Sequence, residues 1–171
     1  LITFLDPDEA VDVLLTLSKK KREEVMTKLP PKNKEKILHL FDLSKDPIGG
    51  LVTTEYLTVF PEDTVRQVTD KIKNEAKDFS SLYCVYVVNK EKQLTGALSL
   101  HEILRQHPDT PLYKFMTQNL IVIHLTTPVE IAMNKFLKYH LSSLPVINQE
   151  KRMEGIVNFD DITSYILERI K

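Results

Sequence analysis

The sequence predicts an α/β (α+β) protein in which a short all-helical segment precedes two tandem copies of a mixed unit of strands and helices. Three observations lead to this prediction. Apolar residues recur at helical spacing over the first 45 residues, a break rich in Pro and Gly follows at 46–56, and the remainder repeats itself with a period of about sixty residues. A chain of 171 residues suits this arrangement, because folding at this size buries about 70% of the unfolded surface.

The helical segment is assigned to residues 1–50. Its first helix is predicted to start at Asp6, because Pro7 occupies the first helical position and Glu9 stands three residues after the cap. Helices with so few apolar positions cannot enclose a core alone, so we expect them to pack on each other and on the rest of the chain. The apolar stripes of the three predicted helices are Ala10, Val13, Leu14 and Leu17, then Val25, Met26 and Leu29, then Ile37, Leu38, Leu40 and Phe41.

The repeat divides the remaining chain into a first copy, residues 51–113, and a second copy, residues 114–171. Residues 87–103 align with 146–162, and six of these seventeen positions are identical. The whole chain contains only four glycines, and two of them, Gly96 and Gly155, occupy the same position of the repeat. The two copies are therefore predicted to share one fold and to pack together pseudo-symmetrically.

Each copy is predicted to run strand, helix, strand, tight turn, strand, helix. The first long helix of the first copy is signalled by Asp63 and Thr64. That of the second copy is signalled by Thr127 and Glu130, a capping box with Pro128 at the first helical position. The predicted elements span 56–60, 64–76, 83–88, 94–99 and 100–106 in the first copy, and 120–124, 128–139, 144–148, 153–158 and 159–169 in the second.

Composition excludes several classes of function. Lys and Arg number 23 against 24 Asp and Glu, so no nucleic-acid partner is expected, because such binding needs a basic face. The longest apolar run, 82–88, has seven residues, whereas crossing a bilayer takes about twenty. This run holds the single Cys84, which predicts a buried thiol in a reducing compartment. The chain starts without Met and ends inside an apparent helix, and we interpret it as part of a longer protein.

No catalytic machinery is recognisable. The five His residues lack the spacing of zinc ligands. No Ser or Cys stands in a nucleophile elbow, and no Gly-rich phosphate loop is present. The sequence therefore predicts a protein that is not an enzyme.

The two copies resemble a pair of CBS domains, also called a Bateman module. The resemblance rests on the pattern Gly, two residues, Ser or Thr, two residues, Asp or Glu, which residues 96–102 match and which residues 155–161 match with Asn158 at the Ser or Thr position. It rests also on the Leu-Pro-Val-Ile sequence at 144–147. The resemblance implies a tandem CBS-domain pair preceded by the short helical segment.

The upstream sequence narrows the resemblance to the cytosolic region of MgtE-type magnesium transporters. Asp-Pro-Asp-Glu-Ala at 6–10, Leu-Pro-Pro at 29–31 and Ile-Gly-Gly-Leu-Val-Thr-Thr-Glu at 48–55 carry it. The family resemblance implies a Mg2+-sensing regulatory region on the cytoplasmic side of the membrane, with this region itself soluble. It also implies a homodimer formed through the CBS domains and a transmembrane pore, C-terminal to the second copy, that this region gates.

The resemblance further implies that acidic side chains share Mg2+ in a compact, closed form. The positions that match are Asp161, Glu130, Asp160, Asp6 and Asp8. All of these except Asp160 have an alternative interpretation as caps at a helix start: Asp161 would pair with Asn158, and Glu130 with Thr127. Positions at which the family often carries an acid hold His140 and Ser164, and residues 51–171 carry fifteen acids against fourteen bases.

A nucleotide-sensing CBS module of another protein is the alternative function. Its ligand would be ATP or another adenine nucleotide, and its candidate residues are Ser99, Glu102 and Asn158. Against this, Cys84 stands where the family tends to place an aromatic side chain for adenine, and His101 replaces an Arg. A dimerisation scaffold without a ligand is a third possibility.

Overall fold

The computed structural model describes residues 10, 13–14, 16–31, 34–35, 37–38 and 48–171. Within these ranges there are five helices and five strands, together with short 3-10 turns at Ile48–Leu51 and Leu112–Lys114. In chain order they are α1 (Lys19–Thr27), β1 (Thr58–Val59), α2 (Val65–Glu75), β2 (Cys84–Val88), β3 (Leu94–Ser99), α3 (Leu100–Leu104), α4 (Val129–Tyr139), β4 (Ser143–Ile147), β5 (Met153–Asn158) and α5 (Phe159–Ile170).

Both copies place their strands in mixed or antiparallel sheets, as the repeat predicts. In the first copy β1 runs parallel to β2, and β2 runs antiparallel to β3. In the second copy β4 pairs antiparallel with β5. The register shifts at the same point of both hairpins, between Val87 and Val88 and between Val146 and Ile147. The two copies thus share a structural irregularity as well as a sequence pattern.

The predicted strand at 120–124 is wrong. This segment makes only one isolated parallel bridge, from Ile123 to β4. The reason is one residue of the neighbouring strand. In the first copy the backbone N–H of Tyr86 donates to the carbonyl of Leu57 at 3.0 Å, and the repeat places Pro145 at the position of Tyr86. Because Pro has no N–H, the corresponding bond cannot form in the second copy.

Capping explains where the helices of the first copy start, but the predicted cap of α4 is wrong. Thr64 forms a full capping box with Gln67 at the start of α2. Helix α4 instead follows Pro128, which makes no side-chain cap. The hydroxyl of Thr127 accepts the N–H of His124 at 2.9 Å. That hydroxyl therefore closes the preceding turn, and Glu130 completes no capping box.

The helical segment packs on the second copy, as its few apolar residues predict. Ile131 of α4 is fully buried among apolar side chains of this segment rather than within the second copy's own core. The other buried members of this cluster are Ala10, Leu14, Leu29 and Ile37. Asp6 and Asp8 lie outside the described residues.

Each copy also exchanges backbone hydrogen bonds with the first few residues of the other. Thr53, before β1, pairs with Ile156 of β5, and Thr117 pairs with Ala97 of β3. The four bonds measure 2.9 to 3.0 Å. This exchange explains the repeated glycines: a Cβ at Gly155 would overlap the side chain of Val52 and approach the carbonyl of Thr53 to 2.8 Å. A Cβ at Gly96 would meet the Met116 sulfur at 2.9 Å.

In the described ranges, no helix combines the length and the apolar composition that crossing a membrane requires.

Candidate functional site between the two copies

A cleft of about 200 Å3 opens where the two copies meet, and we call it the interdomain cleft. The first copy lines it with residues from β2, β3 and the start of α3. The second copy contributes the segment before Ile123 and the start of β4. The polar side chains at its wall are Cys84, Tyr86, Ser99, Glu102, Thr117, Asn119 and Ser143.

Ser99 and Glu102, both predicted as nucleotide contacts, lie together in this cleft. They form the capping box of α3. The Glu102 Oε2 atom accepts the backbone N–H of Ser99 at 2.8 Å and its hydroxyl at 2.9 Å. The Glu102 N–H in turn donates to Ser99 Oγ at 3.2 Å. Because both bonds to the carboxylate use Oε2, the cap leaves Oε1 for a donor in the cleft.

The Cys84 thiol faces an environment that disfavours its charged form. Burial, and then the nearby charge of Glu102, raise the pKa of Cys84 to about 11. Burial also raises the pKa of the neighbouring Tyr86. The Tyr86 hydroxyl forms a buried hydrogen bond with Ser143 of the second copy at 2.9 Å. No sequence motif predicts this pair, although a Tyr within an apolar strand is itself a signal, because a buried Tyr hydroxyl needs a partner.

The predicted capping pair of Asn158 and Asp161 is wrong. Asn158 precedes α5, but its side chain makes no cap bond. Its amide nitrogen instead donates across to Ser81 Oγ of the first copy at 3.2 Å. Its Oδ1 atom is buried and has no hydrogen-bond partner among the described residues. The side chain is therefore used to join the copies.

The predicted metal positions fall in two places. Asp160 and Asp161 lie exposed in the first turn of α5, and Glu130 lies exposed in the first turn of α4. Asp160 also accepts the hydroxyl of Tyr83 at 2.6 Å, which raises the pKa of that tyrosine. Across the part of the chain that the structure describes, no three His, Cys, Asp or Glu side chains converge on a metal-sized site.

Comparison with known proteins identifies the class to which this chain belongs. The CBS domain family matches residues 48–109 and 112–168, and the chain belongs to that family as a tandem pair. It is also homologous to the cytosolic region of MgtE magnesium transporters. It is 31% identical over 134 residues to the magnesium transporter MgtE of Thermus thermophilus, an alignment that covers 78% of this chain and 30% of that protein. The chain thus corresponds to less than a third of that relative's length.

Solved structures extend the similarity beyond the CBS copies. The soluble part of a magnesium transporter superposes with a TM-score of 0.70 at 26% identity, covering 99% of this chain and 66% of that one. The cytosolic domain of the Mg2+ channel MgtE in complex with ATP superposes with a TM-score of 0.68 at 27% identity, covering 96% of this chain and 82% of that one.

Proposed function

We propose that this chain is the cytosolic Mg2+-sensing regulatory region of an MgtE-like magnesium transporter and gates a transmembrane pore of the same protein. One observation carries the proposal. The likeness to the soluble part of a magnesium transporter covers 99% of this chain, and so includes the helical segment as well as the CBS pair. That segment packs on α4 through Ile131. A movement of the helical segment can therefore be transmitted to the second copy, and a movement of the second copy to the segment. The role is regulatory and not catalytic.

The acidic residues of α5 and α4 suit a hydrated Mg2+ better than an all-protein cage. Mg2+ retains several waters and is held through one or two carboxylates. Asp160 and Asp161 are consecutive residues with exposed side chains, so either can offer such a ligand while waters or carboxylates of another segment complete the shell. Glu130 offers a further carboxylate at the start of α4. Ligand binding to the closed form alone would then shift the population toward it by mass action.

A homodimer is part of the proposal, because exposed apolar side chains lie on the surface helices. Leu104 at the end of α3 is 79% exposed, and Ile170 near the end of α5 is 76% exposed. Leu167 lies one turn before Ile170 and is also exposed. A second copy of the chain would cover such side chains. A transmembrane domain of the same protein is the other expected partner and would place this region at the cytoplasmic face of the membrane.

The direct test is Mg2+ flux through the full-length protein in proteoliposomes, with and without this region. We expect flux to fall as Mg2+ rises on the side that carries the region, and deletion of the region to remove that fall. The Asp160→Asn/Asp161→Asn variant should shift the inhibition to higher Mg2+. Flux that responds to Mg2+ equally with and without the region would overturn the proposal.

Adenine-nucleotide binding in the interdomain cleft is the second candidate function. The observation that favours it is that Ser99 and Glu102 both line the cleft. The test uses two matched capping residues: Glu102 of α3 and Gln67 of α2 each occupy the third helical position of a capping box. We expect ATP, titrated calorimetrically into the chain, to bind, Glu102→Ala to abolish binding and Gln67→Ala to preserve it. No binding to the unsubstituted chain, or equal loss in both variants, would exclude this function.

A further inference from the structure

A second concavity, of about 480 Å3, lies where the turns of the two β-hairpins meet. We call it the hairpin pocket. It shares no lining residue with the interdomain cleft, and its volume lies within the range of small-molecule sites, about 300–1,000 Å3. The side chains that matter for its chemistry are Tyr56, Phe60, Lys90, Lys92 and Arg152.

The two hairpin turns are fixed to each other by hydrogen bonds. The N–H of Leu94 donates to the carbonyl of Lys151 at 2.8 Å. The side-chain amide of Gln93 donates to the carbonyl of Glu150 at 3.0 Å. The Nε atom of Arg152 donates to the carbonyl of Glu91 at 3.1 Å. Because each hairpin turn donates hydrogen bonds to the other, the two turns hold a fixed relative position in the wall of the pocket.

The pocket concentrates positive charge. Lys90, Lys92 and Arg152 line it, and no Asp or Glu does. Among the residues that the structure describes, neither lysine takes part in a salt bridge. The Nε bond of Arg152 fixes its guanidinium and leaves the two terminal nitrogens as donors. In a chain of net charge -1, three cations around one concavity that no acidic side chain lines are a local concentration of positive charge that attracts an anion.

Acidic side chains are nearby but line a different surface. A neighbouring hollow of about 520 Å3 contains Glu62, Asp63 and Glu91, and shares only Phe60 and Lys90 with the hairpin pocket. The Asp63 carboxylate there accepts the backbone N–H of Phe60 at 2.8 Å. The ring of Phe60, which is 49% exposed, and the ring of Tyr56 form apolar parts of the pocket wall. They give a bound anion an apolar surface beside the three cations.

We propose that the hairpin pocket binds a small anion that carries two or more phosphate groups. Arg152 offers a planar pair of donors, which matches two phosphate oxygens. Lys90 and Lys92 add two point charges from the opposite hairpin. The site is separate from the acidic positions of α5 and from the cleft that holds Ser99 and Glu102. It would therefore let this region respond to a second ligand.

The test is isothermal titration calorimetry of the chain with inorganic tripolyphosphate in Mg2+-free buffer containing EDTA. We expect saturable binding that weakens as salt is added. The Lys90→Gln/Lys92→Gln variant should bind at least about tenfold more weakly, because each lysine supplies a charge-assisted contact. Both side chains are exposed, so the unfolding midpoint of this variant should match that of the unsubstituted chain.

The matched control is Lys19→Gln/Lys20→Gln, which removes the same charge from exposed positions of α1. This variant should bind tripolyphosphate as the unsubstituted chain does. Absence of saturable binding to the unsubstituted chain would overturn the proposal. An equal loss of affinity in the pocket and control variants would overturn it too, because it would trace binding to overall charge.

Discussion

The phenolic oxygen of Tyr86 and the hydroxyl oxygen of Ser143 lie 2.9 Å apart and join β2 of the first copy to β4 of the second. Both side chains are buried and line the interdomain cleft. This hydrogen bond therefore fixes the relative position of the two copies at the wall of the cleft.

Removing either partner should destabilise the protein. Tyr86→Phe leaves the Ser143 hydroxyl buried without this bond, and Ser143→Ala does the same to Tyr86, so each should cost about 1–3 kcal/mol. The double substitution should cost less than the sum of the two single ones. Urea unfolding of the four proteins measures this cycle. Strictly additive losses would show that the hydroxyls do not interact.

The two repeated glycines should respond unequally to Ala. Gly155→Ala forces a methyl group into Val52 and toward a backbone carbonyl, and should cost about 3 kcal/mol. Gly96→Ala meets the flexible end of Met116, so its cost should be about 1 kcal/mol or less. Denaturant midpoints of the two variants compare them directly. A larger loss of stability in Gly96→Ala than in Gly155→Ala would contradict this packing.

The repeat made most of the fold predictable, and its exceptions depend on long-range contacts. Shared glycines and apolar alternation predict two similar units because these signals are local. Pro145 removes a backbone hydrogen bond between β4 and the segment 120–124, and this loss is recognised only when the pairing of the two segments is known. Thr127 fits the sequence pattern of a capping box, yet its hydroxyl accepts the N–H of His124 in the preceding turn. Local patterns therefore predicted the elements, while partners distant in sequence decided which bonds form.

The candidate site was predictable to a similar extent. The spacing of Ser99 and Glu102 predicts a helix cap, and the resemblance to CBS domains implied that the same two residues face a ligand. The contact of Tyr83 with Asp160 spans 77 positions, so no sequence window contains it. The hairpin pocket likewise collects Lys90 and Arg152 from different copies, and neither lies in a motif.

Ile131 should connect the helical segment energetically to the second copy. It is fully buried against Leu14 and Ile37, so Ile131→Ala should cost about 2–5 kcal/mol. Ala132→Gly, at a neighbouring buried position of the second copy's own core, is the control for general damage to α4. Hydrogen exchange should show faster exchange of α1 in Ile131→Ala than in the control. Equal protection of α1 in both variants would contradict this coupling.

The Cys84 thiol should react slowly at neutral pH. Its pKa is raised to about 11, so it stays protonated below that pH and the reactive thiolate is scarce. Iodoacetamide labelling followed by mass spectrometry should give a rate that still rises between pH 9 and about 11, unlike the rate in the urea-unfolded chain. Glu102→Gln should lower this pKa by removing a negative charge, whereas Glu75→Gln on α2 should not. A labelling rate that levels off near pH 9 would contradict the assignment.

The central claim, that this chain senses Mg2+, is tested most directly by thermal unfolding after EDTA treatment, with Mg2+ raised from zero to about 20 mM at constant ionic strength. A site with a Kd of about 1 mM should add about 1.8 kcal/mol at the highest concentration, a rise of a few degrees in Tm for a chain of this size. Asp161→Asn should reduce the rise, and Asp70→Asn, an exposed acid of α2, should leave it unchanged. A Tm that does not depend on Mg2+ would contradict the claim.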